Sequence, residues 1–484
     1  MVLGVALMVA IPLTAAPIEV SYTTTIFGTI YNYTHALIQQ IYELRYAPVV
    51  AGLFFILSFA VLLAKGMNSA LHLKKDRPPM FNNSEYTFYR QAIRDERLPL
   101  AFIDLEAFDA NIDYVRGIID GSGRTIRVGT KSIRCEPLTR RIFERGGPNF
   151  CGLLTFTVEE TAWLAEKGYD DLIVAYPTVQ PSDMARMAQL AKAGKQVRLM
   201  VDSLAHLQAL SAAGQAAGVE ILACVEVDLA YRPIGTGAVH LGLRRSPLRT
   251  PDEVLKLVRA ARELPNLRID ALMGYEGHIA GTSDAVPEKS LNNALMRFIK
   301  GRSIHEFTRR RQAVVQALQA EGLKLEVVNG GGSGSLVSTL QDDSITEVTI
   351  GSGFYCSALF HHFKDVHYRP AAFFATQIVR FPAPGMLTCL GGGYTASGPA
   401  GPEKLPLPVL PVGLQYLGLE GAGEVQTPLA LPKDCPELQL GDPVIFQHAK
   451  AGELCERFSN LLLLQNEKVV DSVLTYRGEG KTFL

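Results

Sequence analysis

The sequence predicts an α/β protein built on a (β/α)8 barrel of the TIM type, followed by a small all-β domain. Short apolar runs alternate with helical patterns eight times between about residues 98 and 330. The runs are almost continuously apolar, as strands covered on both faces require. No GxGxxG turn opens the first helix, which disfavours the alternative, an open doubly wound sheet. We therefore place the barrel at residues 95–360.

The predicted barrel strands are short, and helical patterns separate them. The first helix runs from Glu106 to Asp120, with apolar side chains at helical spacing. In chain order the eight strands cover residues 99–104, 125–131, 152–157, 171–177, 196–202, 221–228, 268–274 and 325–329. The remaining residues, 361–484, are rich in proline, glycine and short β-prone runs, which predicts the all-β domain.

The first 90 residues stand apart as an N-terminal segment with a linker. Residues 47–64 contain no charged side chain, and this 18-residue run approaches the length of a bilayer span. Four basic residues follow it within 13 positions: Lys65, Lys74, Lys75 and Arg77. This bias predicts a single membrane anchor at about residues 47–66, with the catalytic part on the cytoplasmic side. An apolar core helix is the alternative. The apolar opening of the chain lacks the basic start of a secretory signal, and its role stays open.

Charge and cysteine usage exclude two classes of protein. Lys and Arg number 47 against 48 Asp and Glu, so the net charge of −1 argues against a nucleic-acid binder. The seven cysteines are scattered and include no CxxC pair, which indicates a reducing compartment instead of a disulfide-stapled secreted fold.

Lys131 is the first candidate for chemistry. It ends the strand at residues 125–131, and Gly129 just before it lets the backbone turn. A lysine at the carboxyl end of a barrel strand points toward the face where such barrels hold their active sites. Burial, or a cation such as Arg127 beside it, would favour the uncharged amine, which is the nucleophilic form.

Two glycine-rich turns predict a phosphate site. Gly330 to Ser335 (GGGSGS) follows the last predicted strand, and Gly351 to Tyr355 (GSGFY) comes soon after. Glycines allow main-chain N–H groups to approach an anion closely, and serine hydroxyls add donors. In barrels of this type, phosphate commonly binds in the loops after the last strands.

Further polar residues follow other predicted strands. They are Tyr176, the run from Asp228 to Arg232, and the run from Tyr275 to His278. Each taken alone is compatible with a structural role. Together, a lysine, a phosphate-binding turn, an arginine and a histidine on one rim are the ingredients of a pyridoxal phosphate site.

The β domain offers a candidate metal site at His448 and Cys455. Imidazole and thiolate are ligands that zinc prefers, and Glu453 is an alternative second ligand. The six residues between His448 and Cys455 are many for a compact chelate, and a buried free cysteine is the alternative reading.

At these residues the chain resembles the fold-type III pyridoxal phosphate enzymes with an alanine racemase-like barrel. Within them it is most similar to the D-threonine aldolase and D-serine dehydratase-like branch, whose members include amino-acid deaminase/aldolase proteins. The resemblance covers roughly residues 95–480. It implies that Lys131 carries the cofactor, that Arg232 and His278 act beside it, and that His448 binds a metal. The full cofactor-binding set it implies is Lys131, Arg127, Tyr176, Arg232, His278, Ser333, Gly334, Ser335, Gly353 and Tyr355.

The chain departs from that branch in two places. The branch usually reads Arg-Pro-His before its lysine, where this chain has Arg127, Val128 and Gly129. The branch also has its metal pair as His-x-Cys or His-x-Asp, whereas Cys455 lies seven positions after His448.

The resemblance implies a metal-assisted lyase that acts on β-hydroxy D-amino acids, as D-threonine aldolases or D-serine dehydratases do. It implies pyridoxal 5'-phosphate, a divalent metal such as zinc or manganese, and a homodimer. One alternative is an amino-acid racemase, with Tyr394 or Tyr416 as the second base. Another is a protein that carries the cofactor without turnover.

Overall fold

The computed structural model describes residues 81–234, 237–398 and 401–484. The predicted anchor at about residues 47–66 lies outside these ranges. Within them, no helix is both long enough and apolar enough to cross a bilayer.

Eight parallel strands close a barrel, which confirms the predicted fold class. Each strand pairs with its neighbour in chain order, and the last strand pairs with the first. The barrel strands are β2 (Thr125–Gly129), β3 (Phe150–Thr155), β4 (Leu172–Val174), β5 (Val197–Val201), β6 (Ile221–Val227), β7 (Leu267–Gly274), β8 (Val327–Gly330) and β9 (Glu347–Ile350).

The predicted first barrel strand belongs to the other sheet. Strand β1 (Leu100–Asp104) pairs antiparallel with a strand of the C-terminal region and parallel with a second one. An apolar run shows that a strand is buried, but not which sheet buries it. The true eighth barrel strand is β9, which is only four residues long and begins with a glutamate. As a consequence, the two glycine-rich turns follow the seventh and eighth barrel strands.

Helices surround the barrel, and several have side-chain caps. Asp104 accepts the Ala107 N–H at the start of the first barrel-side helix, and Thr250 and Glu253 form a capping box. The helices of the described ranges are α1 (Asn83–Ala92), α2 (Leu105–Ile119), α3 (Glu136–Gly146), α4 (Val158–Glu166), α5 (Pro181–Lys192), α6 (Leu204–Ala217), α7 (Pro251–Ala261), α8 (Gly277–Ala280), α9 (Ser290–Ala320), α10 (Leu336–Thr339) and α11 (Ser352–Tyr355).

The second sheet has nine strands, β1 among them. Its core is aromatic: Phe102 stacks on Phe373 with ring centroids 5.3 Å apart, and Phe374 stacks on Phe446 at 5.0 Å. The predicted β domain is therefore present, and the chain enters it before it enters the barrel. The other strands are β10 (Ala372–Arg380), β11 (Met386–Leu390), β12 (Leu407–Leu410), β13 (Gln415–Tyr416), β14 (Gln426–Ala430), β15 (Pro443–Gln447), β16 (Asn460–Gln465) and β17 (Lys468–Leu474).

The barrel interior is ionic at the amino ends of the strands. Arg127 is fully buried between Glu347, at 2.6 Å, and Asp171, at 2.9 Å. Arg198 pairs with Asp270 at 2.9 Å and with Asp171 at 3.0 Å. An apolar layer that includes Met200 comes next toward the carboxyl ends. An ionic cluster at the amino face of a barrel lies away from the active-site face and serves stability.

Arg127 does not lie beside Lys131, contrary to the expectation from the sequence. Arg127 lies within β2, whereas Lys131 lies in the turn after its carboxyl end. The Arg127 guanidinium donates to Glu347, to Asp171 and to the Leu153 carbonyl. These acceptors use the whole fork of the guanidinium, so the arginine is a structural residue of the barrel.

Candidate active site

Lys131 stands at the mouth of the barrel. It lies in a short 3-10 turn, Thr130–Ser132, directly after β2, and its side chain is exposed. The Lys131 Nζ atom lies 3.3 Å from the hydroxyl of Tyr176, which follows β4. The structure thus brings together two of the residues singled out from the sequence.

Arg245 is part of the same mouth, although no sequence pattern indicated it. Its guanidinium carbon lies 5.3 Å from the centroid of the Tyr176 ring and 5.4 Å from that of Tyr275. Two aromatic faces hold the planar cation by cation–π attraction and fix its orientation. Burial raises the pKa of Tyr275 to about 12, so this phenol stays protonated at neutral pH.

Glu226 lies under Arg245 and was also missed by sequence reasoning. It is 5% exposed, near the carboxyl end of β6, and its Oε1 atom lies 3.8 Å from the Arg245 Nη1 atom. Burial raises the pKa of Glu226 to about 7, against the opposing effect of Arg245. The carboxyl group therefore changes protonation near neutral pH. One signal was available: Glu226 is two residues before Asp228, so both side chains leave the strand on the same face.

The two glycine-rich turns are joined by Ser333. Its buried hydroxyl oxygen accepts hydrogen bonds from the Gly353 N–H at 2.8 Å and the Gly351 N–H at 3.4 Å. Ser335 accepts the Gly332 N–H at 3.0 Å within the first turn. The serines therefore shape the turns from within and fix them relative to each other.

The same turns contact the residues on either side of the mouth. A methyl group on Gly332 would lie 3.2 Å from the Tyr275 ring, and one on Gly351 would lie 2.6 Å from the Gly129 carbonyl. Contacts therefore run in a closed circuit, which we call the mouth ring. Its members are Lys131, Tyr176, Arg245, Tyr275 and the two glycine-rich turns, residues 330–335 and 351–355.

The first turn offers main-chain donors for an anion. The N–H groups of Ser333 and Gly334 are consecutive, and neither donates a hydrogen bond to the described part of the chain. Successive free N–H groups in a turn form a concave anion site. Glu276, fully buried, holds this turn by accepting the Gly331 N–H at 3.0 Å and the Thr339 hydroxyl. The observed donors fit the phosphate of pyridoxal phosphate.

Arg232 and His278 lie outside the mouth ring. The Arg232 Nη2 atom donates to Asp228 at 2.8 Å, and Arg249 donates to the same carboxylate oxygen at 3.1 Å. His278 contacts helix α9 through its Nε2 atom, 2.5 Å from the Ser303 hydroxyl. Burial lowers the pKa of His278 to about 4, so the ring is neutral. The catalytic roles expected for both residues stay predictions.

Tyr355 is a core residue. Its side chain is fully buried, and its hydroxyl donates to the Ile133 carbonyl at 2.9 Å. Gly353 has its own packing reason for being glycine, since a methyl group there would lie 2.5 Å from the Tyr368 ring. Gly353 thus joins the first glycine-rich turn, because its N–H donates to Ser333. The Tyr355 hydroxyl instead donates to the main chain of the core.

The expected metal pair, His448 and Cys455, does not make a donor set. The Cys455 Sγ atom donates to the Ile133 carbonyl at 3.2 Å, and burial raises the pKa of this thiol to about 12. Cys455 is not a hydrogen-bond partner of the His448 ring, which has the Ala372 main chain beside it. No group of three metal-ligating side chains occurs in these residues. A protonated thiol bound to the main chain and one separate imidazole do not fit a divalent metal.

Comparison with known proteins supports the same interpretation of the barrel. Residues 103–358 match the family model described as alanine racemase, N-terminal domain. The chain is 26% identical over 267 residues to a 3-hydroxy-D-aspartate aldolase of Paracoccus denitrificans, which is 55% of this chain and 62% of that protein. It is also 26% identical over 254 residues to a D-threonine aldolase of Arthrobacter, which is 52% of this chain and 60% of that protein. The chain thus spans about six tenths of the length of these relatives.

A solved structure extends the likeness to the second sheet. The D-threonine aldolase from Filomicrobium marinum has the same fold, with a TM-score of 0.64 and 19% identity. The match covers 79% of this chain and 94% of that structure. The barrel and the mixed sheet therefore occur together in another protein.

Proposed function

Because the chain belongs to the alanine racemase N-terminal domain family, we propose that it is a pyridoxal 5'-phosphate-dependent lyase acting on β-hydroxy D-amino acids. Both curated relatives compared above are aldolases, one of 3-hydroxy-D-aspartate and one of D-threonine. Their reaction class is a carbon–carbon cleavage that the cofactor chemistry accommodates.

The mouth ring is the observation that carries this proposal. Lys131, after the first barrel strand, lies at the same mouth as the glycine-rich turn 330–335, which follows the seventh barrel strand and offers donors for a phosphate. Tyr176 lies beside the Lys131 amine, and Arg245 is held between the Tyr176 and Tyr275 rings. The cofactor needs an amine and a set of phosphate donors, and the amino acid needs a cation for its carboxylate. The mouth ring offers all three.

Four parts of the mouth ring then have distinct tasks. The Ser333 and Gly334 N–H groups would hold the cofactor phosphate, and the Lys131 amine would hold the cofactor at its aldehyde group. When bound, pyridoxal phosphate withdraws electrons from the bonds at the substrate Cα. The Tyr176 hydroxyl orients the Lys131 Nζ atom, which takes up and returns protons at the substrate. The flat guanidinium of Arg245 is suited to bind the substrate carboxylate through two parallel hydrogen bonds.

No step of this proposal uses a metal ion, because the donor pair expected from the sequence does not fit one. We also expect a homodimer, as the resemblance implies. Racemisation is the less favoured candidate. Racemisation needs a second catalytic base. Of the two candidate tyrosines, Tyr416 already donates its hydroxyl to the Pro406 carbonyl at 2.6 Å, so this hydroxyl is engaged with the main chain.

An absorbance spectrum of the purified protein, followed by assays with D-threonine and 3-hydroxy-D-aspartate, tests the proposal. We expect a visible cofactor band and release of the aldehyde or keto acid product from at least one amino acid. A cofactor band with racemised substrate and no cleavage product would replace lyase by racemase. A band with neither activity would indicate a carrier protein. The absence of a band would overturn the cofactor assignment.

A further inference from the structure

Helix α9 (Ser290–Ala320) is fixed to the barrel along one face. Phe307 and Val314 of this face are buried, and the Arg311 Nε atom donates to Asp342 at 2.7 Å. Because a helix turns once in 3.6 residues, a face held at these positions leaves the opposite face directed outward. The outward face of α9 is therefore a surface of fixed shape.

The outward face carries six side chains in one line. Their positions are three or four residues apart, which is the spacing of neighbours along a helix face. Phe298 lies nine residues before Phe307, which is two and a half turns, so it is opposite the buried face. We call this surface the α9 stripe. Its members are Leu291, Leu295, Phe298, Arg302, His305 and Arg309, all of them exposed.

The first half of the α9 stripe is apolar. Leu291, Leu295 and Phe298 are 41%, 43% and 62% exposed. Isolated apolar side chains are common on protein surfaces, whereas three on successive turns form a contiguous patch, and such patches mark sites of interaction. The Arg302 guanidinium carbon lies 5.6 Å from the Phe298 ring centroid, so the apolar half continues directly into the basic half.

The second half of the α9 stripe is basic and has no carboxylate to neutralise it. Three residues between positions 284 and 320 are acidic: Asp284, Glu288 and Glu306. The carboxylate of Asp284 pairs with Lys300 at 2.9 Å. That of Glu306 pairs with Arg310 at 2.8 Å, and Glu288 precedes the helix. Within the part of the chain that the structure describes, Arg302 and Arg309 form no ion pair. The stripe therefore presents unpaired positive charge beside an apolar patch.

We infer that the α9 stripe is a docking surface for a bilayer that contains anionic lipids, with the helix lying along the membrane surface. The apolar half then enters the boundary between headgroups and acyl chains, and Arg302 and Arg309 contact the lipid phosphates. An apolar row beside basic residues is the pattern of helices that lie in this interface. The inference depends neither on the proposed reaction nor on the anchor predicted at about residues 47–66.

A second copy of the chain fits this surface less well. In a twofold contact the stripe packs against itself, and its basic half meets either the apolar half or the other basic half. The stripe has no acidic residue to pair with those cations. A stable interface also takes about 20–30 residues from each partner, whereas the stripe has six on one helix. Anionic headgroups supply the negative charge that a second copy lacks.

Phe298→Trp in the full-length protein gives a local readout of lipid contact. The chain has one tryptophan, Trp163, which is 9% exposed and serves as an internal reference. We expect vesicles of phosphatidylcholine and phosphatidylglycerol to shift the added emission to shorter wavelength, and brominated acyl chains to quench it. Vesicles of phosphatidylcholine alone should have a much smaller effect. Leu419→Trp, at a position 93% exposed outside the helix, is the matched control and should show no shift.

Arg302→Gln combined with Arg309→Gln tests the charge in the Phe298→Trp background. Each cation near an anionic surface contributes about fivefold to binding, so the lipid concentration for half of the shift should rise about 25-fold. Lys192→Gln combined with Lys256→Gln, at exposed positions of other helices, should change it by less than about twofold, because distant charges are screened. Urea unfolding checks that all variants are folded.

Three results would overturn the inference. They are an unshifted Phe298→Trp emission with anionic vesicles, the same shift in Leu419→Trp, and an unchanged lipid requirement after loss of both arginines. A shift that appears with rising protein concentration, in the absence of vesicles, would assign the α9 stripe to a second copy of the chain instead.

Discussion

The hydroxyl oxygen of Ser333 accepts the main-chain N–H of Gly353 at 2.8 Å, so that turns from two different barrel strands share one atom. The two residues are 20 positions apart in the chain. This bond fixes the position of the first turn relative to the second. The Ser333 and Gly334 N–H groups that we propose for the phosphate belong to that first turn. The Ser333 side chain thus shapes the turn whose main-chain N–H groups we propose as the phosphate donors.

Ser333→Ala should weaken cofactor binding about tenfold. The substitution leaves the N–H groups of Gly351 and Gly353 without their acceptor, and an unpaired buried donor costs about 1–3 kcal/mol. The measurement is the dissociation constant of pyridoxal phosphate from its visible absorbance. Ser338→Ala is the control, since the Ser338 hydroxyl donates only to the Ser335 carbonyl at 3.0 Å. Equal affinities for the two variants would remove Ser333 from the phosphate site.

Lys131→Ala should abolish the absorbance band of the lysine-bound cofactor and reduce kcat by more than about 1,000-fold, because the amine is lost as both anchor and proton carrier. Lys192→Ala, at an exposed position on α5, is the control and should leave the spectrum unchanged. A band that persists in Lys131→Ala would mean that another amine holds the cofactor.

Arg245→Lys should raise KM for the amino acid about 10-fold or more, with a smaller effect on kcat. Lysine keeps the charge but loses the flat fork that two tyrosine rings hold in place. Steady-state kinetics of Arg232→Lys provides the comparison. A larger KM effect at Arg232 than at Arg245 would favour the role expected from the sequence for Arg232 over the one proposed for Arg245.

The barrel could be predicted because its strands are continuously apolar. Which strands belong to the barrel could not be predicted. Leu100–Asp104 is as apolar as a barrel strand, and only its pairing with β10 and β16 assigns it to the other sheet. Strand β9 escaped notice because Glu347 and Thr349 interrupt a run of four residues. Both errors concern long-range pairing, which a local pattern does not contain.

In the candidate site, too, residues next to predicted strands could be singled out from the sequence, whereas residues brought in by long-range packing could not. Lys131 and Tyr176 were singled out because each lies at the end of a predicted strand, and the first glycine-rich turn because it directly follows one. Arg245 lies well beyond the end of β6, in a loop without a pattern, and only folding places it between two tyrosines. The ionic surroundings of Arg127 could not be predicted, because its carboxylate partner Glu347 is 220 positions away in the chain.

Arg127→Met should destabilise the protein by about 3–5 kcal/mol and leave cofactor affinity per folded molecule nearly unchanged. The substitution leaves Glu347 as a buried carboxylate without its cation at the amino end of the barrel, while Asp171 keeps its ion pair with Arg198. Urea unfolding measures the loss of stability, and cofactor titration measures any loss of cofactor affinity. Together they distinguish a structural role of Arg127 from a role in cofactor binding. A stable variant with weak cofactor binding would restore Arg127 to the site.

Glu160 should make the protein less stable as pH rises. It is fully buried, accepts the Phe156 N–H at 2.7 Å and accepts the hydroxyl of Tyr476, near the chain end, at 3.0 Å. Burial raises the pKa of Glu160 from 4.5 to about 7. A carboxyl with a raised pKa favours the folded state below its unfolded pKa, and this contribution is lost as pH rises through the folded value. The loss amounts to about 3 kcal/mol between pH 4.5 and pH 8.

Glu160→Gln tests this by removing the titration while keeping the shape. In urea unfolding at pH 5 and pH 8, the unmodified protein should lose about 2.5 kcal/mol more than the variant over that interval. Glu159→Gln, the exposed neighbour on the same helix, should follow the unmodified protein. Identical pH dependence in all three proteins would mean that Glu160 is ionised throughout. The bond to Tyr476 would then be a charged anchor that ties the C-terminal segment to the barrel at every pH tested.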